Sequence, residues 1–546
     1  MEREYTVIAK SRKALSDIEV ELTSSESYDH VPQRSVVICN PRLGSRIQTH
    51  FLLTDEEADA LRNDPRVRAV EIPPDQRDDI SIGLNASQQD GGLVTFYRGS
   101  GTQSNYANWG LKRSAKETNE FVSGNTRTTT SPGDYEYAID GTGVDVVIQD
   151  SGIDPNHPDW NDSTGTSRLQ QIDWYTESGL SGTQSSNHYR DRDGHGSHCA
   201  SIAAGRLYGW AKGAHIYSQK LQGLETLSGS DGTGIPIADA FDAIRLWHNA
   251  KTNGRPTVVN MSWGYGATIS TDPTSGVYRG TAWTYGVDYS DRGTLEDATG
   301  VSVDRFIGSG STTFFRMPVR VASVDAEVED MIADGIHVCI AAGNDYTKSD
   351  VAGGPDWDNT VVFNSSTYNY HQGSSPWSQN AYMVGNIDSG FSQYLSETYT
   401  TAETLLDQTA SSTKRGPGTN IFAPGTNIMA ATSTEYDTGS YTVTDYPLDN
   451  AYPIMSISGT SMASPQVCGV VAQHLQRYPD LTPAQMQQRI FNESTATMYT
   501  TGVNNDYGRV LDSLMGAPNR VLFNRYSKQP ITTNAPDVLT YVMVNN

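Results

Sequence analysis

The chain is poor in several things, and each scarcity excludes a class. Four cysteines in 546 residues are too few for a disulfide scaffold, and their spacing fits no metal motif. Cys199, Cys339 and Cys468 fall in segments expected to be core, so buried free thiols are expected. No apolar run approaches the roughly 18 residues of a membrane span. The N-terminal stretch MEREYTVIAKSRKALSDIEVE lacks the apolar run of a secretory signal, so the expected location is intracellular or reached by a non-classical release route. Cationic residues are outnumbered, 39 Lys and Arg against 63 Asp and Glu, for a formal net charge of -24. Such a surface repels nucleic acid and anionic lipid, so neither is expected as a partner.

What is present is organised in blocks. Residues 1–75 read as a small α+β unit. Tyr5–Lys10, Val36–Cys39 and Val67–Ile72 are short apolar runs. Ile18, Val20 and Leu22 alternate with acidic residues, which predicts a half-buried strand. Thr54 and Glu57 form a capping box ahead of a helix. Residues 76–108, rich in Asp, Gln, Ser and Gly, read as an exposed linker carrying a processing site. Residues 109–526 alternate strand with helix: strands at Val144–Asp150, Val258–Trp263 and Ile336–Ala342, helices at Ile237–Asn249, Val319–Asp334, Thr460–Arg477 and after Thr482-Pro483. That alternation predicts an α/β fold with a doubly wound, mostly parallel sheet, its site at the carboxyl ends of the strands. Insertions near 265–315 and 345–375 interrupt it, with a third irregular piece at 393–407, and residues 527–546 read as a tail. Long structureless insertions in such a domain are expected as functional covers.

Four segments carry chemistry. DSGIDPNHPD places Asp150 at a strand end. GHGSHCAS places His195 at a helix start, where the positive helix end disfavours imidazolium. His198, one turn further in, reads as a structural histidine. SGTSMASP opens a helix with Ser461, whose own N–H faces outward; Ser458 and Ser464 read as loop and helix-face hydroxyls. AAGND sets Asn344 just past a buried strand. A serine hydroxyl needs an imidazole to act as nucleophile, and the imidazole needs a carboxylate. Asp150, His195 and Ser461 are the candidates, with Asn344 and the Ser461 N–H as oxyanion donors. Ser262, Trp263 and Gly264 offer a strand edge for an extended peptide. Ala341, Ala342 and Gly343 form the opposite, small-residue wall.

The order Asp, His, Asn, Ser, together with WGLKR at 109–113, GHGSHCAS and YGWAKGA at 194–214, NMSWG at 260–264, IFAPGTNI at 421–428 and APNRVLFN at 517–524, resembles the subtilase family and within it the proteinase K branch. The resemblance implies a serine endopeptidase acting on protein or peptide substrates. It also implies that residues 1–75 are a propeptide that assists folding and blocks the cleft until self-cleavage. No cofactor is required by this chemistry. Structural calcium is raised by the resemblance but unsupported by the residues: Asp159 matches one ligand, while Asn420 stands where the branch has an acidic residue. Two other readings stand beside the peptidase: a non-catalytic binding or structural protein on the same scaffold, and an esterase using the same three residues.

Overall fold

In the computed structural model the described residues are 1–84, 109–119, 137–225, 233–301, 314–388, 406–436, 443–500 and 514–527, except 27, 33 and 365, with the backbone of short strands at 122–123, 126–127, 303–304, 503–504 and 510–511. Seven parallel strands form the central sheet, in the order Ile421–Pro424, Tyr382–Ile387, His337–Ala341, Thr257–Met261, Asp145–Asp150, His215–Lys220, Leu169–Gln170. Side chains alternate across it as the pleat requires. Val146 and Ile148 enter one apolar core with helices His195–Ala204 and Thr460–Arg477. Val147 enters the other with helices Ile237–Ala250 and Ala322–Ala333. The doubly wound α/β reading therefore holds. Helix Thr460–Arg477 is buried from Thr460 to Leu475, which explains its near-continuous small and apolar residues. Among the described residues no helix is long and apolar enough to cross a membrane. Cys199, Cys339 and Cys468 are buried free thiols, as expected, and Cys39 is exposed.

The first unit is a four-stranded antiparallel sheet, ordered Ile38–Asn40, Gln48–Leu53, Arg3–Ala9, Val67–Glu71, with two helices on it. The strand expected at Ile18–Leu22 is instead part of helix Arg12–Thr23. Ile18 and Leu22, four residues apart, are both fully buried, whereas Val20 is 65% exposed. Period two and spacing i, i+4 coincide over so short a run, and the Ser11 side chain caps the helix start. The Thr54–Glu57 capping box forms as expected.

This unit docks on helices Ile237–Ala250 and Ala322–Ala333 through buried charge. Arg42 lies 3.2 Å from Asp242 and 2.7 Å from Glu327, all three nearly unexposed. The Glu71 carboxylate accepts the N–H groups of Ala322 and Ser323, orphan donors at a helix start.

Two further expectations change. The stretch after 265 is not structureless. Trp263–Ile269 leaves the parallel sheet and pairs antiparallel with Phe314–Pro318, and Ser275–Tyr278 pairs with Thr281–Thr284 and Thr360–Phe363. The head of the supposed linker is also ordered: Ser81–Leu84 forms a strand antiparallel to Trp263–Gly266. Residues 85–108, most of the irregular piece at 393–407, and the tail beyond 527 lie outside the described residues.

Candidate active site

Asp150 ends its strand at the carboxyl edge of the sheet and is fully buried. Its Oδ1 lies 2.8 Å from His195 Nδ1. The two segments meet closely because Gly196 carries no side chain: a Cβ there would sit 2.1 Å from the Gly152 carbonyl oxygen. Burial alone would lower the His195 pKa; the charge of Asp150 and the contact with Cys199 outweigh it and hold the imidazole well above the usual histidine value. Cys199 is itself kept a thiol by burial, so Asp150 is the group that supplies charge. The Cys199 sulfur lies 3.8 Å from His195 Nδ1 and 3.5 Å from the Ser461 carbonyl oxygen.

Ser461 is the second residue of helix Thr460–Arg477 and is fully buried. Its hydroxyl donates to the Ser262 carbonyl oxygen at 3.0 Å. His195 Nε2 has no hydrogen-bond partner among the described residues. The nucleophile and base candidates are thus not hydrogen-bonded to each other, and the Cys199 sulfur touches both His195 and the Ser461 backbone. Pro465 shapes the same spot. Lacking an N–H, it cannot make the helical bond to the Ser461 carbonyl, and that oxygen accepts instead from the Ser262 hydroxyl at 3.0 Å. The helix start is thereby tied to the strand that precedes Trp263.

Asn344 follows strand His337–Ala341 across Gly343, whose φ of +111 turns the chain toward the helix. The Asn344 Oδ1 accepts from the Thr460 N–H at 3.0 Å and from its hydroxyl at 3.1 Å. That fixes the amide plane beside Ser461, with Nδ2 turned away from Thr460. Ala341 and Ala342 are buried behind it, and the Gly343 N–H bonds the Thr460 hydroxyl at 3.2 Å. Trp263, bulky for a strand facing a cleft, points its ring into the second core against Phe241 and Tyr265. Its backbone faces Leu84, and that of Gly264 faces Gly83.

One functional position escaped the sequence reading. Asp191 is fully buried four residues before His195. It accepts from the Ser151 hydroxyl, the Gly194 N–H, the Ser197 N–H and the Ser197 hydroxyl, at 2.7–2.9 Å. Burial pushes its pKa up to about 7, while those donors favour the carboxylate. Asp191 clamps the loop after Asp150 to the first turn of the His195 helix. The signal available was only a second acid in RDRDGHG. His198, by contrast, sits where expected: its Nε2 is 3.1 Å from the carbonyls of Ile428 and Met455, and burial lowers its pKa to about 3.

Neither calcium candidate fits a cation. The Asp159 oxygens already accept from the hydroxyls of Ser201 and Tyr446 and the Leu207 N–H, at 2.6–3.0 Å. Both polar atoms of the Asn420 side chain are bonded to backbone, at Met383 and Ala381. The Asp150, His195 and Cys199 cluster is the only group of three close ligand atoms among the described residues, and its first two members are already bonded to one another.

The arrangement offers a carboxylate bonded to an imidazole, and a hydroxyl at a helix start tied to a side-chain amide through Thr460, beside a strand already paired with an extended segment. A family profile described as the subtilase family matches residues 141–510. A subtilisin-like serine protease of Cochliobolus lunatus is 26% identical over 454 residues, 81% of this chain and 62% of its own length. A subtilisin-like protease 8 of Arthroderma otae is 24% identical, covering 67% of this chain and 54% of its own length. The chain thus spans about three fifths or less of these relatives. A crystal structure of a cold-adapted subtilisin-like serine proteinase aligns over 77% of this chain and 98% of its own, with 19% identity and a TM-score of 0.42. With more than half of its length matched by that one profile, the chain belongs to the subtilase family.

Proposed function

We propose that the protein is a serine endopeptidase in which Ser461 is the nucleophile, His195 the general base and Asp150 the group that orients it. The observation that carries this reading is the 2.8 Å Asp150–His195 contact beside a serine at a buried helix start. In the first step the Ser461 hydroxyl turns from Ser262 to His195 Nε2, gives up its proton there and attacks the scissile carbonyl. The developing oxyanion takes hydrogen bonds from the Ser461 N–H and Asn344 Nδ2. Protonated His195, stabilised by Asp150, then donates to the leaving amine, and water repeats the sequence in reverse to free the acyl group. Activity assay of Ser461→Ala tests the reading: loss of peptide hydrolysis in a folded protein supports it, and normal turnover removes Ser461 from the mechanism.

Residues 1–75 fit the role of an intramolecular inhibitor made as part of a zymogen. The support is the buried Arg42 contact with Asp242 and Glu327 together with Ser81–Leu84 lying along Trp263–Gly266, where a peptide substrate would add as a strand. The reading as a non-catalytic scaffold draws on one observation, the unjoined Ser461 and His195. A covered zymogen site accounts for it equally, and the extended segment in the cleft favours peptides over simple esters.

A further inference from the structure

Thr460 orients the Asn344 amide from one side, donating to its Oδ1. The backbone that carries the amide is set from the other side, by the residues that follow. Tyr346 has a φ of +47, a left-handed conformation that a tyrosine keeps only where its surroundings enforce it. Its N–H donates to the Ser412 carbonyl oxygen at 2.9 Å. Its hydroxyl donates to the buried carboxylate of Glu296. Lys414, fully buried, encloses the same turn. Its N–H donates to the Gly343 carbonyl oxygen at 2.9 Å, just before Asn344. Its Nζ lies 2.6 Å from Asp345 Oδ1 and donates to the Thr347 hydroxyl at 2.7 Å, just after it. The Thr347 hydroxyl donates in turn to Asp345 Oδ1 at 3.1 Å.

The Glu296 acceptor comes from outside the sheet that leads to Asn344. It lies on helix Arg292–Thr299, in the stretch between strands Trp263–Ile269 and Phe314–Pro318 that interrupts the strand–helix alternation. That helix has its own anchors. Leu295 sits in the second apolar core, and the Tyr370 hydroxyl donates to the Thr299 carbonyl oxygen at 3.1 Å. The same stretch grips the segment after Asn344 a second time. Arg279 lies 2.6 and 3.0 Å from the two oxygens of Asp356, and Lys348, two residues after Tyr346, lies 2.6 Å from Asp356. A charged acceptor holds a hydroxyl more strongly than a neutral one, so Glu296 is well suited to keep Tyr346 in an unfavourable backbone shape.

The consequence falls on turnover. An oxyanion donor contributes only once negative charge has formed, and its contribution depends on placement to within a fraction of an ångström. Releasing the Tyr346 hydroxyl lets the turn at 343–347 relax toward ordinary backbone and carries the Asn344 amide with it. Pairing of a peptide along Trp263–Gly266 does not involve these contacts. We propose that Tyr346 is a positioning residue for Asn344, held by Glu296 and flanked by Lys414, and that helix Arg292–Thr299 thereby serves turnover at the site. This rests on the peptidase reading above, with Asn344 as the oxyanion donor.

The test is steady-state kinetics on one peptide with Tyr346→Phe, Glu296→Ala, Glu296→Gln, Asn344→Leu and the combination of Asn344→Leu with Tyr346→Phe. Each is made in the full chain and, like the unaltered enzyme, cut by an added protease within residues 85–108 so that all are compared alike. Tyr346→Phe and Glu296→Ala are expected to lower kcat about tenfold with KM little changed. Glu296→Gln, which keeps an acceptor for the hydroxyl, is expected to retain most of kcat. In the Asn344→Leu background, Tyr346→Phe is expected to cause no further loss, because the residue acts through the amide already removed. Tyr346→Phe deletes a single oxygen, so it carries the test if Glu296→Ala does not fold. Unchanged kcat in Tyr346→Phe, an effect confined to KM, or an equal loss with and without Asn344 overturns the inference. The unaltered enzyme separates the two levels. If it hydrolyses the peptide while Tyr346→Phe matches it, the positioning role alone falls; if it neither hydrolyses the peptide nor labels with a fluorophosphonate, the peptidase reading falls with it.

Discussion

The Ser461 hydroxyl donates to the Ser262 carbonyl oxygen at 3.0 Å, leaving His195 Nε2 unpartnered among the described residues. Both side chains are buried. In the same structure Ser81–Leu84 lies antiparallel along Trp263–Gly266.

The pH dependence follows from His195. Burial alone would lower its pKa, and Asp150 raises it well above 6.5. The base must be neutral to accept the Ser461 proton, so activity is lost as pH falls through that raised value. The acid limb of kcat/KM is expected to have its midpoint above pH 6.5. Asp150→Asn should move the limb to lower pH and reduce kcat by about 10⁴. The sign for stability is opposite: a raised histidine pKa favours the fold below about pH 6.5, and this contribution fades as pH rises through the folded value. A midpoint below 6.5 in the unaltered enzyme contradicts the assignment of the limb to His195.

Asn344 should act on turnover rather than binding. Its amide is oriented by Thr460, and its loss removes a donor needed only when the oxyanion forms. Asn344→Leu is expected to lower kcat by about 10²–10³, on the order of 3 kcal/mol, with KM little changed. Steady-state kinetics on one peptide settle this, and an effect confined to KM would place Asn344 in ground-state binding.

Asp191 should matter for both fold and rate. Asp191→Ala orphans the N–H groups of Gly194 and Ser197 and the hydroxyls of Ser151 and Ser197. A loss of roughly 3 kcal/mol in stability is expected, with reduced kcat because the His195 turn loosens. Denaturant unfolding and kinetics on the same variant measure the two effects, and an unchanged unfolding midpoint argues against the clamp.

Arg42 should control docking of the first unit. Burial pushes Glu327 up to about 7, and Arg42 is the largest influence holding it down. Arg42→Ala leaves Glu327 and Asp242 with Arg245 as their cationic neighbour, at 3.4 and 3.9 Å, so the loss falls toward the lower end of the range for a broken buried pair. Breaking a buried ion pair from one side costs about 3–5 kcal/mol, so inhibition by the first unit should weaken by 10² or more. The rate of appearance of activity after processing reports this directly.

Much of this site is legible in the sequence because glycines and small residues mark its backbone. Gly196 admits the Gly152 loop, Gly343 supplies a positive φ, and the small residues after Ser461 permit a buried helix start. Three of the seven strands of the parallel sheet, Asp145–Asp150, Thr257–Met261 and His337–Ala341, are legible because both of their faces are apolar, while Leu169–Gln170, His215–Lys220, Tyr382–Ile387 and Ile421–Pro424 are not named from the sequence. Ile18–Leu22 misled because a short amphipathic run satisfies two periods at once. The sheets within 263–318 and 360–368 are not legible because their short strands lack a continuous apolar pattern, and two of the pairings, Trp263–Ile269 with Phe314–Pro318 and Ser275–Tyr278 with Thr360–Phe363, join segments 40 or more residues apart. Asp191 was invisible because one acid in a polar loop looks like any other until its four donors are placed around it.

The most direct test of the central claim is intact mass after fluorophosphonate treatment, applied to the processed protein and to its His195→Ala variant after an added protease has cut that variant within residues 85–108. The account predicts one adduct, located on Ser461, in the first and none in the second, because the reagent needs a serine activated by the imidazole. An adduct on another residue, or equal labelling of Ser461 without His195, would contradict it.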